Sequence, residues 1–138
     1  LRKHGIRQAL VNAGEIAALG RRSDGGPWTA GIQHPRQADA YLALAPLDGR
    51  CLATSGDYAT TLSAGQHHLF DPRTGRSPQS LASVSVLAPT ASEADGLSTA
   101  AFALGPEQGM ALVRSTPGAD ALMTLGDGRT LRTDRFPG

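Results

Sequence analysis

The chain has 138 residues, of which 40% are apolar, and this is the size and composition of one ordinary globular domain. Its net charge is +1, and the 13 basic residues do not form the stripe that a nucleic-acid groove binder needs, so we expect no nucleic-acid partner. The single cysteine, Cys51, excludes an internal disulfide. No apolar run approaches the length of about 20 residues that a transmembrane helix requires.

The first half of the chain reads mainly as strands. Leu1 to Gly5 is typical of the last turn of a helix, with basic residues before a glycine, so we expect a longer parent protein. Further along, the predicted strands cover residues 8–12, 15–20, 28–33, 40–47 and 49–54, and the first two are expected to pair as a hairpin. Asp48-Gly49 lies between the last two, and this dipeptide is typical of a tight turn, so we predict that they form a hairpin.

The second half combines strands and helices. The predicted elements are a strand over residues 81–88, helices over 93–104 and 107–115, and strands over 121–125 and 129–132 that form a hairpin. Thr90 or Ser92 is expected to cap the first helix, and Gly105-Pro106 separates it from the second. Residues 133–138 are expected to be a mobile tail. Together the elements predict an α+β layered domain, with a largely antiparallel sheet packed against helices.

Two segments carry most of the functional information. Asp95 and Thr99 are four residues apart at a predicted helix start, so they share one face. A carboxylate and a hydroxyl placed in this way favour a hard cation such as Mg²⁺, with the neighbouring Ser98 as a further oxygen donor. The alternative is an acidic residue that interacts with the helix dipole beside a threonine that faces solvent.

The other segment runs from His67 to Gly75. His67 and His68 are adjacent in a predicted short strand, so their side chains must point to opposite faces and only one can serve a pocket. Asp71-Pro72-Arg73-Thr74-Gly75 has the composition of a tight turn. Upstream, Ser55-Gly56 follows an apolar strand, where glycine permits a close approach to a ligand or a simple turn.

These motifs, taken in order, resemble the ApbE family, the FAD:protein FMN transferases. The matching segments are Ala9-Leu10-Val11-Asn12 with Gly14-Glu15-Ile16, Trp28-Thr29-Ala30-Gly31-Ile32 with Pro35, Ala53-Thr54-Ser55-Gly56-Asp57-Tyr58, His68-Leu69-Phe70-Asp71-Pro72-Arg73-Thr74-Gly75 and Ala94-Asp95-Gly96-Leu97-Ser98-Thr99-Ala100. The resemblance covers residues 9–125. It implies a T-fold-like architecture, of which residues 1–138 form an incomplete C-terminal part. Family members are roughly twice as long, and their upstream half holds further metal and flavin ligands.

The resemblance also implies an activity: the Mg²⁺-dependent transfer of FMN from FAD to a Thr or Ser of an acceptor protein, with release of AMP. The implied sites are Asp95, Ser98 and Thr99 for the metal, and Ser55, Gly56, His68, Leu69 and Thr74 for the flavin. The acceptor hydroxyl needs a base to take its proton, and His68 or Asp71 is the candidate catalytic residue. The alternatives are hydrolysis of FAD to FMN and AMP, or a flavin-binding or assembly protein without catalysis.

The implied partners are the missing N-terminal half and an acceptor that is a membrane redox subunit. The implied location is the periplasm, or the outer side of the membrane with an anchor. Composition does not decide the location, because a chain with one cysteine suits either side of the membrane.

Overall fold

The computed structural model describes residues 1–63 and 65–137. In chain order, the elements are β1 (Ala9–Asn12), β2 (Ile16–Leu19), β3 (Trp28–His34), β4 (Gln37–Leu47), β5 (Cys51–Gly56), β6 (Thr61–Ser63), β7 (Gln66–His67), β8 (Leu81–Ala88), α1 (Ala91–Leu104), α2 (Pro106–Ser115), β9 (Asp120–Leu125) and β10 (Thr130–Arg132). A short 3-10 turn over Arg2–His4 precedes them and ends at Gly5, whose φ is 78°. The helical turn predicted at this end is therefore present in its tighter 3-10 form.

A six-stranded sheet forms the middle layer, with the strand order β1-β2-β5-β8-β9-β10. Within the described residues, every strand pair in this sheet is antiparallel. All eight residues of β8 are buried, because β8 lies inside the sheet and is covered on both faces. Val84 and Val86 pack towards the helices, whereas Leu87 packs in the opposite direction, as the alternation of side chains along a strand requires.

Helices α1 and α2 cover one face of this sheet. α1 begins at a capping box, in which the Thr90 hydroxyl accepts from the Glu93 N–H at 3.2 Å and the Glu93 carboxylate accepts from the Thr90 N–H at 3.1 Å. Gly105, with φ of 82°, ends α1, and Pro106 begins α2. Phe102 is the largest buried side chain of this layer, and it fixes α1 over the sheet.

The hairpin of β3 and β4 forms the third layer on the opposite face. Its inward residues pack on the other side of the central sheet, in a second core formed by Ala30, Ile32, Ala45, Leu47, Leu52, Leu87, Leu122 and Phe136. The fold is thus helices, antiparallel sheet and hairpin in three layers. This confirms the α+β class predicted from the sequence. No helix in the described part of the chain is long and apolar enough to cross a membrane.

The predicted hairpin around Asp48-Gly49 is wrong. β4 pairs with β3, whereas β5 pairs with β2 and β8, so Asp48-Gly49 is a corner between two layers. Gly49 does adopt the left-handed conformation, with φ of 72°, that such a turn requires. Leu47 and Leu52, which flank the corner, are both buried in the same core, and their burial brings the two strands face to face instead of edge to edge.

The described part of the C-terminal tail, which was expected to be mobile, contains two buried side chains. Thr133 and Phe136 are each 4% exposed. The Thr133 hydroxyl donates to the Asp120 carboxylate at 2.8 Å and accepts from the Ala121 N–H at 3.2 Å, which fastens the tail to β9. Gly138, the last residue of the predicted tail, lies outside the described residues.

Candidate functional site

Helix α1 and strand β5 bring four of the predicted site residues together. The Ser55 hydroxyl, on the helix-facing side of β5, lies 2.9 Å from the Ser98 hydroxyl and 3.1 Å from the Thr99 hydroxyl. Asp95 lies one turn before Thr99 on α1, and its side chain is exposed. The sequence predicted these residues from two separate motifs, and the fold joins them because α1 packs directly over β5.

The donor chemistry of Asp95 and Thr99 fits a hard cation. A carboxylate and a hydroxyl are oxygen donors of the kind that Mg²⁺ prefers. The described residues contain no cluster of three or more His, Cys, Asp or Glu side chains that could enclose a metal by themselves. A cation held here would therefore depend on oxygens from other sources, as a site that binds a phosphate substrate does.

Ser98 does not fit the ligand role that was predicted for it. Its side chain is 0% exposed, and its hydroxyl donates to the Asp95 carbonyl at 3.0 Å while lying against Ser55. Ser98 is therefore enclosed between helix and sheet, away from any solvated ion. Sequence spacing could not reveal this, because the direction of a side chain on α1 depends on where the sheet lies.

The adjacent histidines have opposite environments, as predicted. His67 is buried and His68 is exposed. The Leu69 N–H donates to Nδ1 of His67 at 3.3 Å, so the Nε2–H of the same ring donates to the Pro78 carbonyl at 3.0 Å. The ring also stands edge-on to Phe102 of α1, with 5.4 Å between the ring centroids.

Ser77 closes the base of the loop that carries the predicted flavin contacts. Its hydroxyl accepts from the His67 N–H at 3.0 Å and donates to the His67 carbonyl at 2.8 Å. Both residues are buried. The loop from His68 to Arg76 thus extends from a buried, hydrogen-bonded pair of residues that contacts the helix layer through the His67 ring. The sequence did not identify His67 and Ser77 as supports, because their partners are distant along the chain.

Within this loop, Asp71 organises the turn. Its carboxylate accepts from the Arg73 N–H at 2.9 Å and from the Arg73 guanidinium at 3.0 Å. These hydrogen bonds to Arg73 lower the pKa of Asp71 below its ordinary value of 3.8. A carboxylate with a lowered pKa and engaged oxygens is a poor proton acceptor, so the geometry does not favour the predicted catalytic role of Asp71.

The remaining predicted flavin contacts lie at separate points of the same region. Leu69 is buried in the helix-side core, and Thr74 is exposed, with its hydroxyl accepting from the Arg76 N–H at 3.3 Å. Gly56 ends β5 beneath the ring of Tyr58, and a Cβ there would approach that ring to 2.4 Å. Gly56 therefore permits a close approach, and the group that approaches in the structure is Tyr58.

A groove of about 380 Å³ lies beyond the end of β5. It is lined by Arg36, Asp57, Tyr58, Gly65, Gln66, His67 and Gln79. Arg36 and Asp57 form a two-pronged ion pair, with both N···O distances at 2.6 Å, that ties the β3–β4 turn to β5. Burial and the nearby Asp57 raise the pKa of Tyr58. In the sequence, Asp57 and Tyr58 are recognisable only as members of a motif, and no sequence pattern indicates Arg36.

Comparison with known proteins identifies the class. The ApbE family model matches residues 1–123. Curated relatives named FAD:protein FMN transferase include those of Klebsiella pneumoniae, 34% identical over 99% of this chain and 41% of the relative, and of Treponema pallidum, 36% identical over 94% and 40%. The chain therefore belongs to the ApbE family.

Solved structures agree with this assignment. The ApbE protein of Thermotoga maritima has a TM-score of 0.83 at 32% identity, over 92% of this chain and 43% of that one. The flavin transferase ApbE from Vibrio cholerae has a TM-score of 0.79 at 31% identity, over 97% and 45%. The chain spans about two fifths of the length of the curated relatives it matches.

Proposed function

We propose that the full-length protein containing this sequence transfers FMN from FAD to a Thr or Ser hydroxyl of an acceptor protein, releases AMP and depends on Mg²⁺. The observation that carries the proposal is the Asp95–Thr99 pair on the open side of α1, with Thr99 in contact with Ser55 of β5. The names of the curated relatives supply the substrate and the reaction class.

The reaction balances as a displacement at phosphorus. The acceptor hydroxyl oxygen forms a bond to the FMN-side phosphorus of FAD, and the bond from that phosphorus to the bridging oxygen breaks. AMP leaves with the electron pair of the broken bond, and the hydroxyl proton passes to a base or to water. Mg²⁺, when bound, supplies neutralisation of the negative charge on the diphosphate.

The residues of this chain are proposed to bind the cation and to orient FAD. Asp95 and Thr99 provide the oxygen donors for the cation. His68 is the candidate proton acceptor, because its side chain is exposed next to the buried His67. Asp71 is not, because its carboxylate is engaged by Arg73 and holds the turn. Thr74, which is exposed on the same loop, is proposed to contact the flavin end of FAD, whereas Leu69, Ser55 and Gly56 are buried.

A further portion of the protein is proposed to complete the site. The matched relatives are more than twice as long as the matched region, and Asp95 and Thr99 alone do not enclose a cation. Leu10 and Val11 on β1 are 40% and 39% exposed, which is consistent with a face that another segment covers. We propose that the N-terminal half of the protein covers this face and adds ligands.

The acceptor is proposed to be a membrane redox subunit, with the enzyme in the periplasm or anchored on the outer side of the membrane. This proposal rests on resemblance to the family. Fractionation of cells that express the complete gene tests it, and a purely cytosolic product would contradict it.

Product analysis tests the reaction. The full-length protein is incubated with FAD, Mg²⁺ and a candidate acceptor, and AMP, free FMN and protein-bound FMN are measured. The proposal expects AMP and protein-bound FMN in equal amounts. Equal amounts of AMP and free FMN would indicate the alternative FAD pyrophosphatase, and FAD binding without AMP would indicate a binding or assembly protein.

A further inference from the structure

The hydroxyl groups of Thr99, Ser55 and Ser98 form a chain whose hydrogen-bond direction can be deduced. Ser98 Oγ lies 3.0 Å from the Asp95 carbonyl, and because a carbonyl only accepts, Ser98 must donate its one proton there. The contact of 2.9 Å between Ser55 and Ser98 must then be a donation from Ser55. Ser55 has no second proton, so across the 3.1 Å contact Thr99 must donate to Ser55.

The direction of these hydrogen bonds determines whether Thr99 presents its proton or its lone pairs to a group outside the sheet. The proton of Thr99 points inward to Ser55, so the free lone pairs of Thr99 Oγ1 point away from the sheet. Asp95 lies one turn earlier on the same face of α1 and is exposed. A hydroxyl that presents lone pairs beside a carboxylate is oriented as an acceptor for a cation, whereas a freely rotating hydroxyl also presents its proton.

We propose that Ser55 is a positioning residue that, together with Ser98, holds the Thr99 hydroxyl in the orientation that receives a divalent cation. We name the three hydroxyls of Thr99, Ser55 and Ser98 the hydroxyl relay. Neither Ser55 nor Ser98 touches the cation, and both act through Thr99. This inference deepens the proposed function, since the cation site is the same one.

The hydroxyl relay predicts that a substitution at Ser98 weakens cation binding, although Ser98 does not contact the cation. In Ser98→Ala, Ser55 loses its acceptor and its proton becomes free to turn to Thr99. The contact between Ser55 and Thr99 then persists with reversed direction, and the Thr99 proton points to the cation site. Ser98→Ala should therefore weaken cation binding although Ser98 is enclosed beneath the site.

Mn²⁺ binding to the full-length protein tests the relay without any turnover. Mn²⁺ is titrated with and without FAD, and the EPR signal of free Mn²⁺ reports the bound fraction. Ser55→Ala and Ser98→Ala are expected to weaken Mn²⁺ binding by about 10-fold, as the loss of partners that orient a metal ligand does. Ser55→Thr, which keeps a hydroxyl, should restore binding.

Thr54→Val provides the matched control. Thr54 is the neighbour of Ser55 on β5, but its hydroxyl contacts Ser85 at 2.8 Å on the opposite face of the sheet. This variant removes a hydrogen bond of the same kind from the same strand and leaves the relay intact, so it should bind Mn²⁺ like the wild type. Thermal unfolding of all variants verifies that they are folded. If Ser55→Ala does not fold, the Mn²⁺ binding of Ser98→Ala tests the hydroxyl relay.

The outcomes separate the relay from the reaction. Wild-type binding of Mn²⁺ in both Ser55→Ala and Ser98→Ala would overturn the relay, as would equal weakening in Thr54→Val or no Mn²⁺ binding by the wild-type protein. If the variants weaken Mn²⁺ binding as expected but the wild-type protein leaves FAD unchanged, the relay stands and the proposed function fails. In an active enzyme, the variants should raise the Mg²⁺ concentration at half-maximal rate more than they lower the rate at saturating Mg²⁺.

Discussion

At the scale of single residues, the neighbours His67 and His68 differ completely in exposure to solvent. The alternation of a strand predicted that they face opposite ways, and it could not say which one is buried. That choice depends on Phe102 and Pro78, which contact the His67 ring from α1 and from the segment before β8. Both contacts are distant in sequence, so no local pattern records them.

The two histidines should therefore respond differently to substitution. His67→Ala removes the groups that pair with the Leu69 N–H and the Pro78 carbonyl, and it should lower the free energy of unfolding by about 1–3 kcal/mol. His68→Ala should leave the free energy of unfolding unchanged within about 0.5 kcal/mol and reduce FMN transfer. Urea unfolding and the transfer assay measure the two effects, and equal destabilisation by both variants would contradict this assignment.

Asp71 should contribute a pH-dependent part of the stability. Hydrogen bonds to Arg73 lower its pKa below 3.8 in the folded protein, so its stabilising effect is present above that pH and is lost as the pH falls through the lowered value. The wild-type protein should be more stable than Asp71→Asn at pH 7, and the difference should shrink below about pH 4. Urea unfolding of both proteins at several pH values measures this, and a difference that grows in acid would refute it.

At the scale of elements, α1 was predicted closely in position, with its cap left open. The sequence permitted Thr90 or Ser92, since both hydroxyls precede an acidic residue at a suitable distance. The structure selects Thr90, because its extended backbone, with φ of −128° and ψ of 155°, lets its hydroxyl meet the Glu93 N–H. Ser92 already belongs to the first helical turn.

A pair of substitutions at the start of α1 tests this cap. Thr90→Ala should lower the free energy of unfolding by about 1 kcal/mol, because the capping hydrogen bond is lost. Ser92→Ala, in the same exposed turn, should change it by less than about 0.5 kcal/mol. Chemical denaturation of both variants measures the difference, and a larger effect of Ser92→Ala would assign the cap to the wrong residue.

The pairing of strands could be predicted from the sequence only where the two strands follow each other closely along the chain. The β1–β2 and β9–β10 hairpins were predicted correctly, because their partners follow at once along the chain. The Asp48-Gly49 turn was predicted as a third hairpin, and it is a corner between layers. Its glycine was interpreted correctly, but the pairing depends on Leu47 and Leu52 meeting the same core, which also contains Leu87 from a later strand. The short strand β6 was not predicted.

At the scale of the whole molecule, the helices and the β3–β4 hairpin each bury apolar side chains against one face of the central sheet. The exposed apolar residues of β1 show that this edge of the sheet is less covered. This agrees with a chain that spans about two fifths of its curated relatives. A protein of residues 1–138 alone should show almost no FMN transfer, because Asp95 and Thr99 provide too few ligands to hold Mg²⁺ firmly. Rapid FMN transfer by a protein whose measured mass shows that it contains residues 1–138 alone would contradict this expectation.

We propose that a cation held at Asp95 enables FMN transfer, and a comparison of the wild-type protein with Asp95→Ala tests this proposal. AMP release and protein-bound FMN are measured for the wild-type full-length protein and for Asp95→Ala, with FAD, acceptor and saturating Mg²⁺. We expect equal amounts of both products from the wild-type protein and neither product from Asp95→Ala, with both proteins equally folded. Full activity in Asp95→Ala would contradict the assignment of the site.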